Sequence, residues 1–157
     1  MVPNLSLRMR PSRIIVGEVR GGEAFDMICS AMNCGHDGSM STVHSNHASD
    51  TVARLETMIL MAVELPISAI RRQICLGVDI IIHLSRMRDK SRRVVQITEV
   101  MDYREEIVEL HELYHFTEDE DTKREHIRGS LIKTGELIHV EKWKAAGYSV
   151  HIQNHRT

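Results

Sequence analysis

Aromatic residues make up only 4% of the 157 residues, which leaves the interior to aliphatic side chains and nine methionines. Cysteine is scarcer still. Cys29, Cys34 and Cys75 are odd in number and show no disulfide framework, which fits a reducing, cytoplasmic setting. The longest apolar runs fall far short of the about 20 residues that cross a bilayer, and no basic segment leading into an apolar one marks a signal peptide. Membrane contact is therefore expected only through a partner. Charge of one sign is not in excess either: the formal net charge is −2, which makes no case for a nucleic-acid partner. Finally, no G-x-x-x-x-G-K-[ST] phosphate loop occurs anywhere in the chain.

What is present is a set of abrupt transitions from apolar to polar text. Ile14-Ile15-Val16 reads as a strand buried on both faces of a parallel sheet. It ends in Gly17-Glu18-Val19-Arg20, which delivers charge to a sheet edge, where open α/β sheets bind their ligands. Ser39 to Val43 predicts a second strand, ending in His44. A carboxylate at the first strand end can orient water for attack on a phosphoryl group, or hold Mg²⁺ through water. The same pattern fits a surface glutamate paired with Arg20. His44 reads either as a phosphate sensor or as a structural hydrogen-bonding residue. His36, beside Gly35 and Gly38, fits a tight turn. Arg8, Arg10, Arg13 and Arg20 form a basic cluster that suits phosphates or a solvated rim.

Between and beyond these strands the pattern is mostly regular. Glu23 to Asn33 predicts a helix ending at Gly35. Asp50 is placed to cap a second helix with Val52, Leu55, Ile59, Ala62 and Val63 on one face. Pro66 opens a third, with Ile67, Ile70 and Ile74 inward. Asp79 to Leu84 and Arg92 to Met101 read as strands, the second entered through an Arg88–Ser91 turn, and Ile107 to Phe116 as another. Glu118 to Asp121 reads as a solvated acidic loop. A short final helix follows, with Val140, Trp143 and Ala146 as its apolar contacts. Met27, Met32, Met58 and Met61 are expected in the core. Cys29, Cys34, His36, His44 and His47 are zinc-competent, but their spacing matches no zinc pattern. At this length the chain has room for one domain, or one core plus an appendage.

In order, these segments resemble the ATPases of type II and type IV secretion and pilus assembly, most of all the tight-adherence (Flp-type) pilus branch. The resemblance rests on Leu7 to Pro11, Arg13 to Gly21, Gly35 to Ser39, Ser41 to Asn46, Arg54 to Met58, Ile70 to Ile74 and Ile97 to Val100. It implies an α/β fold: the C-terminal part of a RecA-like P-loop ATPase core with three αβα layers. Residues 1–84 would form that partial core, and residues 85–157 a β-hairpin or antiparallel extension with a short C-terminal helix. It also implies roles. Glu18 falls at the glutamate of an unusual Walker B motif, with Gly17 in place of aspartate and Arg20 beside it. His36 opens the family's His box, and His44 within it approaches the γ-phosphate. Arg10 joins the phosphate region.

ATP and Mg²⁺ are the implied ligands. The implied assembly is a hexameric ring on the cytoplasmic face of the inner membrane, working against a membrane platform protein. The family's Walker A loop would lie upstream of Leu7, so this chain alone is expected to have no appreciable ATPase activity. A second expectation, of a different class, is a non-enzymatic fragment that joins or inhibits rings of a complete ATPase.

Overall fold

In a computed structural model the described residues are 11–32, 35–123, 125–145 and 147–148. The expectations for Arg8, Arg10, Cys34 and Ala146, and for the Trp143 side chain, fall outside them. The described residues form a mixed α/β structure with an antiparallel sheet, divided into two compact units.

The first unit comprises the described residues up to His83 together with Thr98–His111. Strand β1 (Ile15–Val16) pairs in parallel with β2 (Met40–Ser41), Ile15 opposite Met40 and Val16 opposite Ser41. Both strands are shorter than the apolar text suggests, and β1 is not buried on both faces. Ile15 is 71% exposed and Met40, its partner, 55%. The burial is carried instead by Ile14 and Val19, which flank the strand.

The predicted helix from Glu23 begins as a single turn, α1 (Glu23–Phe25), and widens into a π-helical segment, Asp26–Met32. Wider turns of this type are rare and frequent at functional sites. Its Met27 and Ile28 are buried. Helix α2 (Ala48–Leu60) starts one turn earlier than Asp50 suggests. His47 is its N-cap, and Asp50 sits inside the first turn, where its charge favours the helix N-terminus. The helix ends at Leu60, so Ala62 and Met61 lie beyond it and are exposed, contrary to expectation.

Pro66 is the N-cap of helix α3 (Ile67–Gly77), whose Ile70 and Ile74 are fully buried. Ile67, expected inward, is 40% exposed because it occupies the unpacked first turn. Val19, Met27, Ile28, Val52, Leu55 and Ile59 join Ile70 and Ile74 in one continuous core.

Strands β3 (Ile80–Arg86), β4 (Arg92–Arg104), β5 (Ile107–Glu118) and β6 (Gly129–Lys133) form a sheet in that order. Glu105 and Glu106, the two residues between β4 and β5, both take positive φ, a conformation such tight turns require and usually give to Asn-Gly. The Arg71 guanidinium offsets that strain by donating to the Glu106 carbonyl while pairing with Glu56 at 2.7 Å.

The second unit comprises Leu84–Ile97 and the described residues from Glu112 onward. Strand β6 was not foreseen, since little in Gly129–Lys133 alternates: it pairs antiparallel with β5, Tyr114 opposite Lys133 and Glu118 opposite Gly129. A Cβ at Gly129 would collide with the Thr117 carbonyl and the Phe116 ring, so only glycine admits this close approach. Glu118 is not loop but strand, held by the fork of Arg88 at 2.7 and 2.5 Å. Helix α4 (Glu141–Ala145) follows the buried Val140.

Asp89 organises this unit's turn. Its carboxylate accepts from the Ser91 hydroxyl at 2.6 Å, the Ser91 amide at 2.9 Å and the Ile127 amide at 2.9 Å. These bonds, led by that from the Ser91 hydroxyl, pull its pKa from 3.8 down to about 2. The unfolded chain therefore binds the Asp89 proton more tightly than the folded one. The resulting stabilisation is complete above the unfolded value and is lost as pH falls through the folded one. Thermal melts should show Asp89→Asn well below the parent at neutral pH, with the gap closing as pH falls toward about 2; a gap independent of pH would refute this.

Candidate functional site

The parallel pairing of β1 and β2 brings the ends of the two strands side by side. Glu18 follows β1 by two residues and His44 follows β2 by three. The Glu18 carboxylate receives an Arg20 guanidinium nitrogen on Oε2 at 2.5 Å. His44 Nε2 stands 2.9 Å from Oε1. That second contact is an ion-pair approach only, since Oε1 is buried and no aligned hydrogen-bond donor reaches it among the described residues.

The side chain of Glu18 is 24% exposed, whereas those of Arg20 and His44 are largely in solvent. The Arg20 hydrogen bond, with the charges of Arg20, His44 and Arg54 behind it, holds the Glu18 carboxyl below its ordinary range against the opposing effect of desolvation. Glu18 is thus favoured as the anion, faced by the guanidinium groups of Arg20 and Arg54 and by the imidazole of His44.

Backbone contacts set this geometry. The Thr42 hydroxyl donates to the Gly17 carbonyl at 2.6 Å, and the Val19 amide donates to the Thr42 carbonyl at 3.0 Å. Ser39 Oγ accepts from the Ile14 amide at 3.0 Å and donates to the His36 carbonyl at 2.7 Å. The turn after Glu18 is fixed by Glu23, whose carboxylate accepts from the Arg20 amide at 2.8 Å and the Gly21 amide at 3.1 Å. Gly38 takes φ +83° with the Arg13 side chain laid against it, so a side chain here would be strained and crowded.

The sequence-predicted site residues therefore fall into three groups. Glu18, Arg20 and His44 are gathered together. His36 opens the turn into β2, with its carbonyl engaged by Ser39. Arg10 lies outside the described residues. Arg54 and Thr42 were missed as site residues. Arg54, on α2, acts on Glu18 through its charge alone, and nothing in its local sequence marked it. No group of three or more His, Cys, Asp or Glu side chains able to hold a metal occurs among the described residues. For Mg²⁺ the site offers the Glu18 carboxylate alone, with Oε1 lacking an aligned donor. A single carboxylate suits an ion that keeps several waters and takes its other ligands from phosphates. No described helix is long and apolar enough to cross a membrane.

Comparison with known proteins gives a consistent picture. The family described as type II/IV secretion system protein matches residues 4–142. A putative conjugal transfer protein of Mycobacterium tuberculosis is 40% identical over 92 residues, covering 59% of this chain and 26% of that protein. The type IV secretion system protein VirB11 of Brucella suis is 42% identical over 81 residues, covering 50% of this chain and 22% of the relative. Among solved structures, the VirB11 ATPase from the Brucella suis type IV secretion system, crystallised in complex with sulphate, superposes with a TM-score of 0.58 at 34% identity. That superposition covers 62% of this chain and 30% of the crystallised one. The chain thus spans about a quarter of the length of the curated relatives it matches.

Proposed function

This chain belongs to the type II/IV secretion system protein family, and from that membership we propose that it is the C-terminal part of a secretion or pilus-assembly motor ATPase. In this reading it supplies Glu18, His44 and Arg20 to an ATP site whose phosphate loop lies outside these 157 residues. The observation that carries it is the meeting of Glu18 and His44 at the ends of two parallel strands, 2.9 Å apart. The crystallised VirB11 ATPase, similar over this region, binds sulphate, a tetrahedral anion of the shape and charge type of a phosphoryl group.

Three roles follow from the chemistry. Glu18, held ionised, accepts a hydrogen bond from the attacking water and orients it. His44 and Arg20, both solvent-facing, offer donors to the γ-phosphate. When Mg²⁺ is bound it neutralises phosphate charge, and Glu18 would hold it through water. Family use of nucleotide and Mg²⁺ fits this assignment. Turnover would drive pilin assembly or protein export in a homo-hexameric ring, or a ring shared with a full-length ATPase, seated on the cytoplasmic face of the inner membrane against its platform protein.

The test is a chimera in which this chain replaces the matching stretch of the Brucella suis VirB11 ATPase. The chimera should hydrolyse ATP, while the 157-residue polypeptide alone should not exceed background. Glu18-dependent hydrolysis by the isolated chain, or a folded chimera without activity, would overturn the shared-site reading.

A further inference from the structure

We propose that Thr42 is a positioning residue for Glu18, an inference that rests on the ATP-site reading above. Thr42 grips the chain on both sides of Glu18. Its hydroxyl donates to the carbonyl of the preceding residue, Gly17, at 2.6 Å. Its own carbonyl accepts from the amide of the following residue, Val19, at 3.0 Å. Glu18 is therefore the centre of a three-residue segment clamped at its two ends by one residue. That residue lies two positions before His44, so the clamp sets the carboxylate and the imidazole in one frame.

The clamp is needed because regular pairing stops short. Strand β1 ends at Val16 and β2 at Ser41, and Gly17 adds no side chain to stiffen the link to Glu18. Without the Thr42 hydroxyl, the Gly17 carbonyl loses this partner and the Val19–Thr42 backbone bond is left to hold the segment from one end. Thr42 is itself exposed, and an exposed neutral hydrogen bond contributes little to global stability. Its loss should register in the placement of Glu18 and leave the core intact. Misplacement of a reacting group by about 1 Å can cost about 100-fold in rate.

The experiment compares Thr42→Val, which keeps the shape and deletes the hydroxyl, with Thr42→Ser, which keeps the hydroxyl. In the chain as it stands, amide hydrogen exchange at Val19 should accelerate by about tenfold in Thr42→Val, with protection at Ile70 unchanged, and Thr42→Ser should restore it. In the VirB11 chimera, Thr42→Val should lower kcat by about 10- to 100-fold at unchanged KM for ATP, again with recovery in Thr42→Ser. Parental exchange and kcat in Thr42→Val would overturn the proposal, as would a Thr42→Ser variant that behaves like Thr42→Val. The two readings separate cleanly. If Glu18→Gln abolishes turnover while Thr42→Val does not, the positioning role falls and the ATP site stands. If Glu18→Gln leaves turnover intact, the ATP site falls, and with it any role for Thr42 in turnover.

Discussion

Replacing Glu18 with glutamine in the VirB11 chimera is expected to lower ATP turnover by about 10²- to 10⁴-fold, the range lost with a positioned general base, while nucleotide affinity stays near the parent value. Glutamine preserves the side chain's shape and its capacity to touch water but removes the charge. Arg20 and His44 sit against that charge, so its removal also frees them. Arg20 and His44 can then bind phosphate more tightly, which should leave KM unchanged or reduced. A fall in kcat with a raised KM would indicate that Glu18 holds nucleotide and not the attacking water. Hydrolysis measured at saturating ATP, beside binding of a non-hydrolysable analogue, separates the two.

Truncating Ile70 to alanine is expected to destabilise the first unit by about 2–5 kcal/mol, the range for a large aliphatic side chain removed from a closed core. Ile70 has no exposed surface and sits among the residues that unite α3 with α2 and the π-helical segment. Such a loss is a large fraction of the about 5–15 kcal/mol that typical domains possess. The informative control is Ile67→Ala on the same helix. Ile67 is substantially exposed, so its truncation should stay within about 0.5 kcal/mol. Denaturant midpoints of the two variants test the pair; equal losses would mean that the first turn of α3 is packed after all.

That contrast also marks how far the linear text could be read. The apolar run closing on Glu18, and the hydroxyl-rich run closing on His44, placed two of the site's groups at strand ends because local order determines where a strand stops. The period of α3 found Ile70 and Ile74 but overreached at Ile67, since periodicity assigns a face without saying how far along the helix that face is covered. Arg54 was quoted in the motif text and still not read as part of the site. Its distance from Glu18 depends on how α2 packs, a tertiary fact with no local signature. The π-helical turns at Asp26–Met32 are invisible for a similar reason: the apolar period that marks a helix does not distinguish the wider winding from an α-helix. Strand β6 escaped notice because its pairing with β5 is a matter of backbone, with few apolar side chains to announce it.

The register of β1 against β2 has a consequence for how the site comes into being. The Ile14–Ser39 and Gly17–Thr42 bonds each span 25 residues of sequence. Closing a flexible loop of that size costs about 3 kcal/mol in chain entropy beyond a constant, far more than a two-residue strand pair returns. The intervening segment must offset that cost by burying Ala24, Met27 and Ile28. Glu18 and His44 therefore meet only as a by-product of that burial. Loosening the π-helical segment would dissolve the site without touching a single residue in it.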